Sequence, residues 1–136
     1  MINIDSEEEG IITVSCAGGL SLEGKIPMEY KEKSGICMEV AVTGMLGGHS
    51  GCEIHKEHGN SNLIMGRVLY EAGKEVDFKV ASMEGGSKDN AIPRHTTATI
   101  LVKAKDADKF EKALEKQSKI LAHEYASSDP GHESGL

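Results

Sequence analysis

Aromatic residues are scarce in this sequence: they account for 4% of its 136 residues, and tryptophan is absent. Single-stranded nucleic acid binds largely by stacking its bases on aromatic side chains, so such a surface is not expected. Positive charge is also scarce, with 15 Lys and Arg against 22 Asp and Glu and a formal net charge of -7 at pH 7. A chain of this charge repels phosphate backbones and anionic lipid headgroups, which argues against nucleic acid and membranes as partners.

Cysteines are few, and long apolar runs are missing. The three cysteines, Cys16, Cys37 and Cys52, form no Cys-x-x-Cys pair, which predicts reduced, mostly buried thiols and no thiolate zinc site. No apolar run approaches the roughly 18 residues that a membrane-spanning helix requires. The first ten residues, MINIDSEEEG, lack the basic start and apolar stretch of a signal peptide, so a cytoplasmic location is expected.

What the chain does contain is typical of a folded α+β domain. Hydrophobic residues make up 38%, charged residues make up 27%, and there are 16 glycines, a composition that favours a globular protein with several sharp turns. A chain of this length can build one domain with a modest core. A flexible joint and possible domain boundary is predicted at residues 17–19, Ala-Gly-Gly.

Three segments alternate apolar and polar side chains with the two-residue period of a half-buried strand. They are residues 36–43, 76–81 and 97–102. Shorter strands are predicted at residues 2–5 and 11–16, on either side of an acidic run.

Two further segments carry apolar residues at helical spacing. Asn60 or Ser61 can cap the first helix, which is expected to stop at Gly73, and Asp106 can cap the second. The residues predicted to face the core of the second helix are Phe110, Ala113, Leu114, Gln117 and Leu121. The order strand, helix, strand, strand, helix predicts a ferredoxin-like split βαβ sandwich, with an antiparallel sheet, two helices on one face and its last strand missing.

A glycine- and histidine-rich loop separates the first long strand from the first helix. It contains His49, His55 and His58, but no helical His-x-x-x-His or thiolate pair completes a tetrahedral metal site there. Glycines flank His49, so its imidazole can be presented outward as a hydrogen-bond donor to another molecule. The alternative is a surface histidine in a turn.

A second polar loop precedes the third long strand. Pro93 restricts its own backbone and that of Ile92, which holds the Asn90 amide on a stiff segment. Such an amide can recognise a carboxylate or a carbonyl, and Arg94 can add a bidentate clamp for an anion. The alternative is that Asn90 only supports a turn.

Asp5 is the third candidate, at the end of the first predicted strand. Carboxylates in this position are common metal ligands, and an acidic surface loop is the alternative. The sequence contains no nucleophile elbow and no phosphate-cradling glycine loop of the Walker type.

Five segments resemble, in order and spacing, the cytosolic aminoacyl-histidine dipeptidases, also called beta-alanyl-histidine or Xaa-His dipeptidases. These segments are residues 3–10, 16–19, 47–56, 59–62 and 90–94. The resemblance implies a hydrolase whose catalytic domain holds two zinc ions, with an inserted ferredoxin-like lid that mediates dimer formation. It further implies that residues 1–19 are the end of a catalytic-domain segment with its hinge, and that residues 20–136 are a lid and dimerisation domain, incomplete at its C-terminus.

The resemblance also implies roles for individual residues. His49 would stabilise the tetrahedral oxyanion in a neighbouring active site. Asn90 would bind the peptide group or terminal carboxylate of the dipeptide substrate, with Arg94 beside it, and Asp5 would be a zinc ligand.

The family's other zinc ligands and its glutamate base lie on segments that this sequence lacks. We therefore expect no tight zinc binding and no hydrolysis by this chain alone. The alternative hypothesis is a free-standing ferredoxin-like module for interaction or small-molecule sensing, without catalysis.

Overall fold

The computed structural model describes residues 9–12, 14–15 and 18–130. The chain divides into two units, Met1–Lys31 and Glu32–Leu136. The described residues of the first unit contain no helix or strand. The strand predicted at residues 11–16 is therefore wrong at its four described positions, where Ile12 and Val14 are 88% and 92% exposed. A lone segment without a partner strand cannot bury such side chains. The strand predicted at residues 2–5 lies outside the described residues.

The second unit is an α+β fold, as the sequence predicted. Its main sheet is antiparallel and has the strand order β1-β5-β3. These strands are β1 (Ile36–Val42), β3 (Phe78–Gly85) and β5 (Thr96–Val102). A separate two-residue ribbon joins β2 (Gly48–His49) to β4 (Ala91–Ile92). The helices are α1 (Ser61–Gly73) and α2 (Ala107–Glu124), and short 3-10 turns occupy Ile54–Lys56 and Ala104–Asp106.

The core lies between one face of the main sheet and the two helices. In β5 the alternation is complete, because every second side chain from Thr96 to Val102 is buried. The predicted core face of α2 is confirmed at all five of its residues. Cys37 lies in β1 at a position that alternates with the buried side chains of that strand, so it is exposed. Cys52 is exposed as well. The prediction of mostly buried thiols is therefore wrong for both cysteines.

Strand direction explains where a fourth strand would belong. β1 and β3 are each antiparallel to β5, so they are parallel to one another and are joined through α1. A right-handed connection from β5 through α2 would place the next strand on the free edge of β1. Within the described part of the chain no strand lies there, and residues 131–136 lie outside the described part.

The ends of the elements refine the sequence predictions. The Asn60 side chain caps α1 by accepting from the backbone nitrogens of Asn62 and Leu63 at 3.0 and 3.2 Å. Asp106 makes no side-chain cap, because a 3-10 turn leads directly into α2 and engages the backbone there. β3 begins at Phe78 because the Val76 nitrogen bonds to the Ala72 carbonyl at 2.9 Å and so belongs to the end of α1. No described helix is both long enough and apolar enough to cross a membrane.

Candidate functional site

The β2/β4 ribbon brings the two predicted polar loops together. His49 pairs with Ala91 in its register. The Ser50 nitrogen donates to the Asn90 carbonyl at 2.9 Å and extends the pairing by one residue. His49 and Asn90 therefore lie at one end of the same ribbon, both exposed, although local sequence patterns alone placed them in two separate loops.

Hydrogen bonds to the His49 ring determine which nitrogen carries its proton. Nδ1 accepts from the backbone nitrogens of Gly51 and Cys52 at 3.0 and 3.2 Å. A nitrogen that accepts hydrogen bonds carries no proton, so the neutral imidazole holds its proton on Nε2. Nε2–H is thus a donor, and the exposed ring can offer it to another molecule.

Glu53 holds the backbone of His49 from the other side. Its Oε2 accepts from the His49 nitrogen at 2.8 Å, and its own nitrogen donates to the His49 carbonyl at 3.0 Å. Lys56 Nζ contacts Oε1 at 2.6 Å. Gly48 has a φ of +140°, and a Cβ there would lie 2.8 Å from Glu53 Oε2, so only glycine lets the carboxylate approach this closely. Glu53 was not among the residues predicted from the sequence, where its one signal is a carboxylate four residues after His49.

These contacts lower the pKa of Glu53 from 4.5 to about 2, with the hydrogen bond from Lys56 as the largest cause and the one from the His49 backbone next. Because the folded pKa is depressed, the carboxylate's contribution is fully present above pH 4.5 and is lost as the pH falls toward about 2. The contacts of Glu53 with His49 and Lys56 are therefore intact at neutral pH.

We expect the substitution Lys56→Ala to raise the pKa of Glu53 toward 4.5, because it removes the largest stabilising contact of the carboxylate. A carboxyl ¹³C NMR titration measures this directly. Lys74→Ala is the matched control, since Lys74 pairs with Glu71 at the same i,i+3 spacing. An unchanged Glu53 midpoint in the Lys56 variant would contradict this account of the contact.

Arg94 packs over the turn that leads into β2. Its Nε donates to the Met45 carbonyl at 3.3 Å, and its side chain covers Gly47, where φ is +67° and any Cβ would clash. Beside it lies an open depression of about 210 Å³, lined by ribbon residues together with Gly86, Ser87, Arg94 and His95. Arg94 therefore lies beside the ribbon, two residues after β4, whereas Asn90 precedes β4 at its other end.

Asp5, the predicted metal ligand, lies outside the described residues. Within the described ranges, no group of three or more His, Cys, Asp or Glu side chains could hold a metal ion. The ribbon and the neighbouring Arg94 offer hydrogen-bond donors and one guanidinium group.

Comparison with known proteins supports this description. The family model described as peptidase dimerisation domain matches residues 40–129, from β1 to the turn after α2. A cytosol non-specific dipeptidase of Escherichia coli (strain K12) is 36% identical over 131 residues. That match covers 95% of this chain but 27% of the relative, so the chain spans only a minor part of that protein's length.

Solved structures agree. The aminoacylhistidine dipeptidase from Vibrio alginolyticus superposes with a TM-score of 0.69 at 33% identity, over 72% of this chain and 20% of that one. AtUAH, solved in complex with (S)-hydroxyglycine, has a TM-score of 0.55 at 13% identity over 74% of this chain and 25% of its own, a likeness of fold alone. The resemblance stated from the sequence is confirmed at the level of the family: the chain belongs to the peptidase dimerisation domains.

Proposed function

We propose that this chain is the lid and dimerisation part of a zinc dipeptidase that hydrolyses Xaa-His type dipeptides. The observation that carries the proposal is the His49 ring, whose Nδ1 is engaged by two backbone donors so that Nε2–H faces outward. The 36% identity to a non-specific dipeptidase over nearly the whole chain supports dipeptides as the substrate class, and the name of the Vibrio alginolyticus relative supports the Xaa-His type. The name of the Escherichia coli relative supports a cytoplasmic location.

His49 would act on the oxygen of the scissile peptide bond. Negative charge develops on that oxygen in the transition state, and a donor that is already oriented stabilises it without reorganising. Contacts with Gly51, Cys52 and Glu53 hold the ring and its backbone, so little reorganisation remains. His49 would reach a neighbouring active site, as the family resemblance implies.

Asn90 and Arg94 would bind the substrate. The Asn90 side chain offers two N–H donors to a peptide carbonyl or terminal carboxylate, and the Arg94 guanidinium adds charge for an anionic group. The ribbon that Asn90 shares with His49 supports a role of these two residues on the same molecule of dipeptide. We propose that the two zinc ions of the intact enzyme are held outside the described residues, with Asp5 as one ligand, and that this chain alone does not bind zinc tightly.

We further propose a homodimer formed through one side of α1 and the free edge of β3. Asn62 and Gly73 of α1 lie against the two ends of β3, at Gly85 and Phe78. Gly66 lies on this same side of the helix, but a Cβ built there would meet no atom within 4 Å.

This open side of the helix leaves apolar surface uncovered. Val80 and Met83 of β3 are 49% and 55% exposed, although they stand on the helix-facing side of the sheet. Leu63 and Tyr70 of α1 are also exposed. A second copy, related by a two-fold axis, would cover the apolar side chains and pair the two β3 edges.

We expect the wild-type chain to sediment as a dimer and the Tyr70→Glu variant as a monomer, because the contact would lose an apolar ring and would have to bury a charged group. Analytical ultracentrifugation at several protein concentrations measures this. Ile120→Glu is the matched control, since Ile120 is exposed on α2, away from the proposed contact. A monomeric wild type, or a dimer lost only in the Ile120 variant, would contradict the proposed surface.

The proposed function as a whole is tested by a chimera. This chain replaces the matching segment of the Escherichia coli dipeptidase, and hydrolysis of Xaa-His dipeptides is assayed. An active chimera is expected. A chimera that folds and keeps its zinc but lacks activity would contradict the proposal, and a dipeptide-dependent thermal shift of the 136-residue chain alone would favour the sensing module.

A further inference from the structure

The loop that carries His49 is anchored at both ends to one buried carboxylate. Asp129, in the turn that follows α2, is completely buried. Its Oδ1 accepts from the Leu46 nitrogen at 2.7 Å, and its Oδ2 accepts from the Gly59 nitrogen at 2.6 Å. Leu46 lies shortly after β1 and Gly59 immediately before the cap of α1, so the two bonds close the base of residues 46–59, here called the His49 loop.

A carboxylate is suited to this task because it has two acceptor oxygens and no donor. Leu46 and Gly59 each donate a backbone N–H to it, and a buried N–H without an acceptor is costly. An asparagine has nearly the same shape, but its NH₂ group would face one of these donors and lose that bond. Charge-assisted bonds of this kind are also stronger than those to a neutral amide.

The surroundings leave the loop base little freedom to shift. The His58 ring nitrogen Nδ1 bonds to the Gly47 carbonyl, which links the same two ends a second time. A Cβ at Gly59 would lie 2.7 Å from the Met45 sulfur and 3.1 Å from the Tyr125 ring. With its base held, the loop aligns Gly48 and His49 against β4 in the observed register.

We propose that Asp129 is a positioning residue for His49. It does not touch the substrate, and it acts by closing the loop so that the backbone donors of Gly51 and Cys52 meet the ring at Nδ1 and leave the proton on Nε2. The catalytic meaning of this arrangement rests on the proposed function of His49, whereas the arrangement itself can be measured without any reaction.

The experiment compares Asp129→Asn with wild type in the 136-residue chain, by ¹⁵N NMR of the His49 ring and by amide hydrogen exchange. We expect the variant to lose the single Nε2–H tautomer and to exchange the Leu46 and Gly59 amides faster by on the order of tenfold or more, the effect of losing a bond to a charged acceptor. The Ile100 amide in the central strand should keep its protection. Asp108→Asn, an exposed substitution on α2, is the matched control and should resemble wild type.

An unchanged His49 tautomer in a folded Asp129→Asn chain would overturn the proposal. If that variant does not fold, the same measurements are made on the wild-type chain in mild urea. The single His49 tautomer should be lost at the urea concentrations at which the Leu46 and Gly59 amides lose protection from exchange, below those at which the Ile100 amide does. A tautomer that persists after those amides have opened would also overturn it. Failure of the proposed function would give a different result. The His49 tautomer would still depend on Asp129, but the activity of the chimera would not depend on His49.

Discussion

Replacing His49 with alanine in the chimeric dipeptidase is expected to lower kcat by on the order of a hundredfold or more, the usual cost of removing one oxyanion donor. The loss should fall on kcat and on kcat/KM together, because the donor acts mainly on charge that develops in the transition state. Nδ1 of His49 is already engaged by Gly51 and Cys52, so Nε2–H is the donor that the substitution removes.

His55→Ala is the matched control for this substitution. His55 belongs to the same loop and is exposed in the 3-10 turn Ile54–Lys56, but it does not share the ribbon with Asn90. Its variant should keep kcat, and both variants should keep the zinc content of the chimera. Equal turnover of the His49 variant and wild type would remove His49 from the mechanism and leave the chain a dimerisation part only.

Replacing Phe110 with alanine is expected to lower the free energy of unfolding by about 3–5 kcal/mol, the range for deleting a buried aromatic side chain. Phe110 is fully buried on α2, and its ring meets that of Phe78 edge to face, with centroids 5.2 Å apart and planes at 62°. The pair joins α2 to the start of β3, so its loss opens a cavity between the helix and the sheet.

Urea denaturation followed by circular dichroism measures this difference. Protein concentration must be the same for both chains, because self-association adds to apparent stability. Lys112→Ala, an exposed substitution on the same helix, should change the free energy of unfolding by less than about 0.5 kcal/mol. A Phe110 variant as stable as this control would mean that the contact between α2 and the sheet is not part of the cooperative core.

Local sequence patterns were enough to predict the main helices and strands. The two-residue alternation of β5 and the helical spacing of α2 each identify a buried face, and both are confirmed residue by residue. The Asn60 cap was also predictable, because its acceptor and its donors are neighbours in sequence. The lack of a side-chain cap at Asp106 was not predictable, since the turn that precedes α2 replaced the expected side-chain bond.

The site was predicted only in parts. His49 and Asn90 could be singled out by their glycine and proline neighbours, but their common ribbon depends on pairing between β2 and β4. Glu53 acts across four residues and Asp129 across a sequence separation of 83 from Leu46. No periodicity marks either of them, because each bonds to backbone nitrogens whose own residues give no sign of it.

The sequence by itself determined the α+β class, the core faces and the family, because side-chain spacing along a strand or helix and short motifs are properties of neighbouring residues. Only the tertiary structure decided which loops share a ribbon, which nitrogen of His49 keeps its proton and which carboxylate closes the loop. The physical reason is that a hydrogen bond depends on two groups meeting at about 3 Å, and for distant residues that meeting is set by the packed core.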